Sequence, residues 1–118
     1  MILKSHGVAR EPFSTVSLNK EKKPMGIRFE WDKHKASHNL QKHDVSFDEA
    51  STVFHDPLAC IFDDESHSQS EAREIIIGHS AAGRLLLVSF TERALNIVRI
   101  ISARPATNQE REDYEKSQ

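Results

Sequence analysis

A single cysteine, Cys60, occurs in 118 residues. That excludes an internal disulfide framework and any metal site built from a cysteine cluster. No apolar run approaches the roughly 18–20 residues that span a bilayer. The first residues lack the apolar core of about 7–15 residues that marks a secretory signal. A cytoplasmic location with no membrane attachment is the simplest expectation. Basic charge is not in excess either: 16 Lys and Arg face 18 Asp and Glu, a net charge of −2. A bulk nucleic-acid binder carries a basic domain, so any anion site here must be a local cluster on an acidic surface. No repeat appears at any period, and there is no H-E-x-x-H metal motif.

What is present suits one domain with a modest core: 37% apolar and 29% charged residues. Charge is unevenly placed. Residues 1–24 hold five Lys or Arg against two Asp or Glu, are interrupted by Pro12 and Pro24, and show neither helical nor strand period. We read them as a mobile tail. A compact domain is expected over 25–118.

Residues 27–31 alternate apolar and polar, as a half-buried strand does. Asp32 is placed to cap a helix over 33–43 with a thin apolar stripe of Ala36 and Leu40, which His43 would extend. Ser46 followed by Glu49 reads as a capping box for a second helix over 47–54, with Val45 and Ala50 as its apolar staple. That helix buries Phe47, Ala50, Val53 and Phe54, and Asp56-Pro57 stops it. A strand over 58–62 follows, then a polar loop over 63–71. Three strands, 73–79, 84–91 and 95–103, come next, with links at 80–83 and 92–94 short enough for hairpins. Thr107 with Glu110 forms another capping box for a last helix over 108–116. The result is an α+β domain: strand, helix, helix, four-stranded antiparallel meander, C-terminal helix. One sheet face is expected to be covered.

The stretch "FEWDKHKASHNLQKHDVSFDEASTVFHDP" resembles the opening of BrnT-type toxins from bacterial type II toxin–antitoxin systems. Its form is W-D-x-x-K-x-x-x-N-x-x-K-H-x-V-S-F-x-E-A, carried by Trp31, Asp32, Lys35, Asn39, Lys42, His43, Val45, Ser46, Phe47, Glu49 and Ala50. Further matches are Arg73 leading a strand that ends at Gly78, then Val88, Thr91 and Arg93, and finally "RIISARPAT" from Arg99 to Thr107 with Glu110, Arg111 and Tyr114. The resemblance spans about 27–115. Asp44 departs from it, standing where the family often has Gly; Asp tolerates the left-handed conformation better than most residues. The resemblance implies a RelE-like fold, a small ribonuclease and a cognate BrnA-like antitoxin with a ribbon-helix-helix DNA-binding domain. It also implies a complex that reaches operator DNA through that antitoxin and represses its own operon. No cofactor is expected. The alternative is a non-catalytic homologue that acts only as an antitoxin-binding co-repressor.

Metal-free RNA cleavage uses the neighbouring 2′-hydroxyl as nucleophile. It needs a base, an acid and cations at the phosphorus. Arginine suits the last role, being permanently charged and bidentate toward phosphate. Arg73 at a strand start, Arg93 at a hairpin and Arg104 at a strand exit are the catalytic candidates; the competing reading is arginines that merely solvate a sheet edge. Uninterrupted alternation places Ser102 and Arg104 on one face with Val98 and Ile100. Arg99, on the opposite face between isoleucines, is read first as structural, paired with an acid such as Glu49 or Asp63, and second as an RNA contact. Lys35 and Lys42 are seven apart and share a helix face, a basic strip able to track phosphates. His43 is the best histidine for proton transfer and equally a cation at a helix C-terminus. His34 and His38 sit four apart, more simply a solvated face than a metal pair. Trp31 and Tyr114 are expected to pack, and Cys60 to be an ordinary buried residue.

Overall fold

The structure, a computed structural model, describes residues 26–64 and 72–118. The proposed tail at 1–24 and most of the expected 63–71 loop lie outside the described residues. The element order is β1 (Arg28–Glu30), α1 (Lys33–His43), α2 (Phe47–Thr52) with a 3-10 turn at Val53–His55, β2 (Cys60–Asp63), β3 (Glu74–His79), β4 (Leu85–Ala94), β5 (Ile97–Pro105) and α3 (Asn108–Lys116). This is the expected order, and the expected helices at 33–43 and 108–116 keep their bounds. β4 runs through the expected 92–94 link to Ala94, and the turn falls at Leu95 and Asn96. Asn96 takes the positive φ of 62° that a tight hairpin requires.

The sheet has five strands in the order β1-β5-β4-β3-β2. β2 to β5 form an antiparallel meander, while β1 pairs parallel with β5, Phe29 opposite Val98. Both faces carry a core, which corrects the expectation of one covered face. On the first, Val45, Phe47, Ala50, Val53 and Phe54 from the α2 region pack on Ile61, Ile76, Leu86, Val88, Phe90, Val98 and Ile100. Edge-on ring contacts link Phe54 to Phe29 at 5.2 Å and to Phe90 at 5.0 Å. Trp31 packs on Phe47 at 5.8 Å, the anchoring role expected of it. On the second face, α3 brings Tyr114 onto Phe62, Ile75, Ile77, Leu85 and Leu87. α3 covers only part of that face. Cys60 is half-buried there rather than fully buried.

Two bulges decide which residues the open part of the second face presents. Ser89 pairs with Ser102, but Phe90 pairs with Ile100, so Ile101 has no opposite residue. An extra residue reverses the alternation beyond it. Ser102 and Arg104 therefore face away from Val98 and Ile100, contrary to the uninterrupted alternation, and lie across from Ser89 and Leu87. The second shift, between Glu92 and Ala94, leaves Arg93 without an opposite residue.

β1 is three residues long and covers only the first part of the β5 edge. Beyond it, α1 takes over. The Asn39 side chain stands in for a strand: its Nδ2 donates to the Ala103 carbonyl at 2.8 Å, and its Oδ1 accepts from the Ala103 N–H at 3.0 Å. Nδ2 also donates to the Val45 carbonyl at 2.9 Å. Asn39 is consequently 7% exposed while Leu40 is 47% exposed, so the expected apolar stripe is corrected. A buried amide takes the place assigned to leucine because an uncovered strand edge demands hydrogen bonds, not methyl groups.

Candidate functional site: a cleft between helix α1 and the sheet

α1 starts where Asp32 accepts from the N–H groups of His34 at 2.7 Å and Lys35 at 3.1 Å. These bonds, that from Lys35 first, hold the Asp32 carboxyl below its usual range. It ends at Asp44, which takes the left-handed conformation, φ 60° and ψ 35°, as the departure from Gly required. Lys42 and His43 fall in the last turn, where the carbonyl end of the helix favours cations. Asn39 then fixes the helix beside Ala103, and His43 comes to rest beside β5.

Two cavities meet at this point. A groove of about 330 Å³ is lined by His34, Lys35, His38, Asn39, Lys42 and His43 from α1 and by Ile101 and Ser102 from β5. A pocket of about 80 Å³ on the second sheet face is lined by His43, Ile75, Leu87, Ser89, Ser102, Ala103 and Arg104. His43 and Ser102 line both. The structure thus gathers Lys35, Lys42, His43 and Arg104 into one cleft. Among the described residues, no group of three or more His, Cys, Asp or Glu side chains is placed to hold a metal ion.

Arg104 is held by Glu110 through paired bonds, Nη1 to Oε1 and Nη2 to Oε2, both 2.8 Å. Glu110 is 3% exposed, and its Oε1 also accepts from the Thr107 N–H at 2.9 Å, completing the capping box of α3. The Arg104 hydrogen bonds hold the Glu110 carboxyl below its usual range, and Glu110 in turn raises the arginine. Arg93, Arg99 and Arg73 line neither cavity. Arg93 Nη1 lies 3.0 Å and Arg99 Nε 3.7 Å from one oxygen of Glu30, so Arg99 pairs with neither Glu49 nor Asp63. Arg99 stands opposite Thr91 on the open face. Arg73 precedes β3 and is half-buried.

A sequence profile of the ribonuclease toxin BrnT of type II toxin–antitoxin systems matches residues 31–110. This chain belongs to the BrnT family. The crystal structure of the Brucella abortus ribonuclease toxin BrnT is similar in fold, with a TM-score of 0.54 and 21% identity over 70% of this chain and 99% of that one. No curated protein matches. Membership of the ribonuclease toxin family makes the activity an RNA-cleaving one, and a type II system implies a cognate antitoxin. Among the described residues no helix is long and apolar enough to cross a membrane.

Several BrnT motif positions now have physical reasons. The motif spacing Asp32, Lys35, Asn39, Lys42, His43 is one helix with its cap, its strand clamp and its cleft-lining side chains. Ser46 caps α2 by accepting from the Glu49 N–H at 3.0 Å. The Glu49 side chain does not close the box, which corrects the expectation. It accepts instead from Ser80 at 2.7 Å and from Arg84 Nε and Nη2 at 3.0 and 2.6 Å. These bonds, Arg84 first, hold its carboxyl below the usual range. Gly78 is needed because a Cβ there would meet the Ala59 Cβ at 2.8 Å and Asp56 Oδ2 at 3.0 Å. Tyr114 packs edge-on against His79 at 5.7 Å, and burial pushes its hydroxyl up to about 12. Burial likewise raises the Cys60 thiol. Sequence reasoning gave no role to Arg84, Glu30 or Ser89, and it turned Ser102 to the wrong sheet face.

Proposed function

We propose that this chain is a metal-independent endoribonuclease whose catalytic centre is the seam between the two cavities, where His43, Ser102 and Arg104 meet. The observation that carries this reading is the shared wall itself: a groove lined by Lys35 and Lys42 has His43 and Ser102 in common with a small pocket that Arg104 lines. A groove of that size is at the lower end of small-molecule sites; the smaller pocket suits a phosphate group alone. Lys35 and Lys42 line the groove and attract the RNA backbone.

In the reaction, His43 accepts the proton of a 2′-hydroxyl as its oxygen bonds to phosphorus. The bond from phosphorus to the 5′-oxygen breaks, that oxygen takes a proton from solvent water, and the proton gained by His43 neutralises the hydroxide left behind. The products carry a 2′,3′-cyclic phosphate and a free 5′-hydroxyl. Arg104 stabilises the charge that builds on phosphorus. Arg93 and Arg99, which share Glu30, and Arg73 contact phosphates flanking the cleaved bond. Such an enzyme acts on cytoplasmic RNA and so inhibits translation and growth. A ribbon-helix-helix antitoxin of the BrnA type neutralises it by laying acidic and apolar surface over the cationic face, and the complex represses its operon. A second reading, a non-catalytic partner-binding module, draws on the ion pairs that already engage Arg93, Arg99 and Arg104.

The deciding experiment is induction of this chain alone in a bacterial host, with cleavage of single-stranded RNA in EDTA measured on purified protein. Growth arrest and EDTA-resistant cleavage, both lost in folded His43→Ala and Arg104→Ala, support the enzyme. Normal growth with abundant folded protein that cleaves nothing favours the binding module.

A further inference from the structure

A guanidinium has five N–H donors in a planar fork. In Arg104, Nη1 gives one to Glu110 Oε1 and one to the Pro105 carbonyl at 3.2 Å. Nη2 gives one to Glu110 Oε2. Two donors remain, the Nε–H and the second Nη2–H. These two lie side by side on one edge of the plane and form a second bidentate fork. Arg104 lines the 80 Å³ pocket and Glu110 does not. The carboxylate side chain is 4% exposed, while that of Arg104 is 37% exposed. One edge of the guanidinium is thus clamped by a buried carboxylate, and no hydrogen bond among the described residues engages the other.

Resting on the ribonuclease reading, we propose that Glu110 is a positioning residue: it clamps one fork of Arg104 so that the Nε/Nη2 fork is held toward the small pocket to receive the scissile phosphate. Several features make this more than an ion pair at a strand end. Glu110 is itself immobilised, because its Oε1 is tied to the Thr107 N–H in the cap of α3. Arg104 is held within β5 opposite Leu87, two residues past Ser102 and beyond the Ile101 bulge that turns both toward the pocket. A guanidinium fixed before substrate arrives loses little rotamer freedom on meeting the phosphate, and pre-organised donors lower barriers most. The carboxylate also cancels much of the arginine's charge. The pair therefore contributes direction at the transition state more than attraction in the ground state, and its loss separates the two.

Glu110→Gln tests this. The glutamine Oε1 can keep the Thr107 N–H and so the cap, but its amide group faces Arg104 Nη2 with donors against donors. With RNA under single-turnover conditions, we expect kcat to fall about ten- to a hundredfold, the order of losing an oriented transition-state donor, with KM unchanged or lower. In an Arg104→Lys background, which keeps a cation but has no bidentate fork, the same substitution has no further effect on kcat. An unchanged kcat, a raised KM with kcat intact, or an equal loss in both backgrounds would overturn the proposal. A second measurement does not depend on cleavage. In wild-type protein the Arg104 Nε–H resonance should shift saturably as inorganic phosphate is added. Phosphate that shifts the groove lysines and leaves Arg104 Nε–H still overturns it, whatever Glu110→Gln does to folding. A wild-type chain that cleaves no RNA yet shows the Arg104 shift would sink the ribonuclease reading and leave the fork as an anion site.

Discussion

Replacing Asn39 with alanine tests how the cleft is held together. The substitution removes three hydrogen bonds and strands three backbone groups: the N–H and carbonyl of Ala103 and the carbonyl of Val45. Each buried polar group left without a partner costs about 1–3 kcal/mol. Asn39 lines the groove, so water can reach part of the gap and the lower figure applies, about 3 kcal/mol in all. Domains of this size hold about 5–15 kcal/mol of stability, and each kcal/mol moves Tm by about 4–8 °C. Urea melts followed by circular dichroism should show a midpoint displaced by that energy with an unchanged slope. Asn39→Asp sharpens the test. It keeps the acceptor for the Ala103 N–H but turns a carboxylate toward two carbonyls. Burial against those carbonyls raises its carboxyl pKa in the folded state. The damage is then greatest above the ordinary carboxylate range and lessens as pH falls through the raised value, because the acid form regains a donor. A loss under about 0.5 kcal/mol for Asn39→Ala, the size of a neutral surface change, would refute the account. So would an aspartate variant that tracks the alanine variant at every pH.

Other outcomes follow from the same structure. Gly78→Ala forces a methyl onto the Ala59 Cβ and should cost about 1–3 kcal/mol in thermal melts, the usual penalty of overpacking. Glu49 is held below its usual range by Arg84 and Ser80, so it stabilises the fold above the unfolded glutamate range and loses that contribution as pH falls through the lower folded value. Glu49→Gln should be less stable than wild type at pH 7, with the gap closing in acid melts. His43→Ala should lower RNA cleavage about 10²- to 10⁴-fold, the span of general base catalysis, with circular dichroism unchanged.

The order of elements was legible because its signals are local. Asp32, Ser46 and Thr107 announce helix starts through one side chain and the N–H groups two or three residues on. Short links between β-rich runs announce a meander. What stayed hidden depends on contacts distant in sequence. Alternation alone turned Ser102 and Arg104 the wrong way, because nothing in "RIISARP" marks Ile101 as the residue without an opposite. Asn39 has no place in the apolar stripe expected of α1, because an amide is ordinarily exposed, and only an uncovered strand edge 64 positions away gives it a reason to be buried. Arg84 carries no motif, and the capping-box spacing already accounts for Glu49. The cleft was legible as a set of cations on α1 and β5, but not as two cavities sharing a wall.

The pairing of β1 with β5 bears on when this protein becomes dangerous to its maker. Residues 28–30 have no strand to join until Ile97–Arg99 exist, and α1 has no edge to clamp until Ala103 does. Contacts so distant in sequence form late, since the intervening chain must first be brought together. Chain growth runs from β1 toward β5, so a nascent chain carries α1 and its lysines long before it carries the wall that faces them. A polypeptide interrupted anywhere before β5 holds half a cleft and no Arg104. With the catalytic centre proposed above, a growing chain cannot cleave RNA before β5 has been made, whatever α1 already carries.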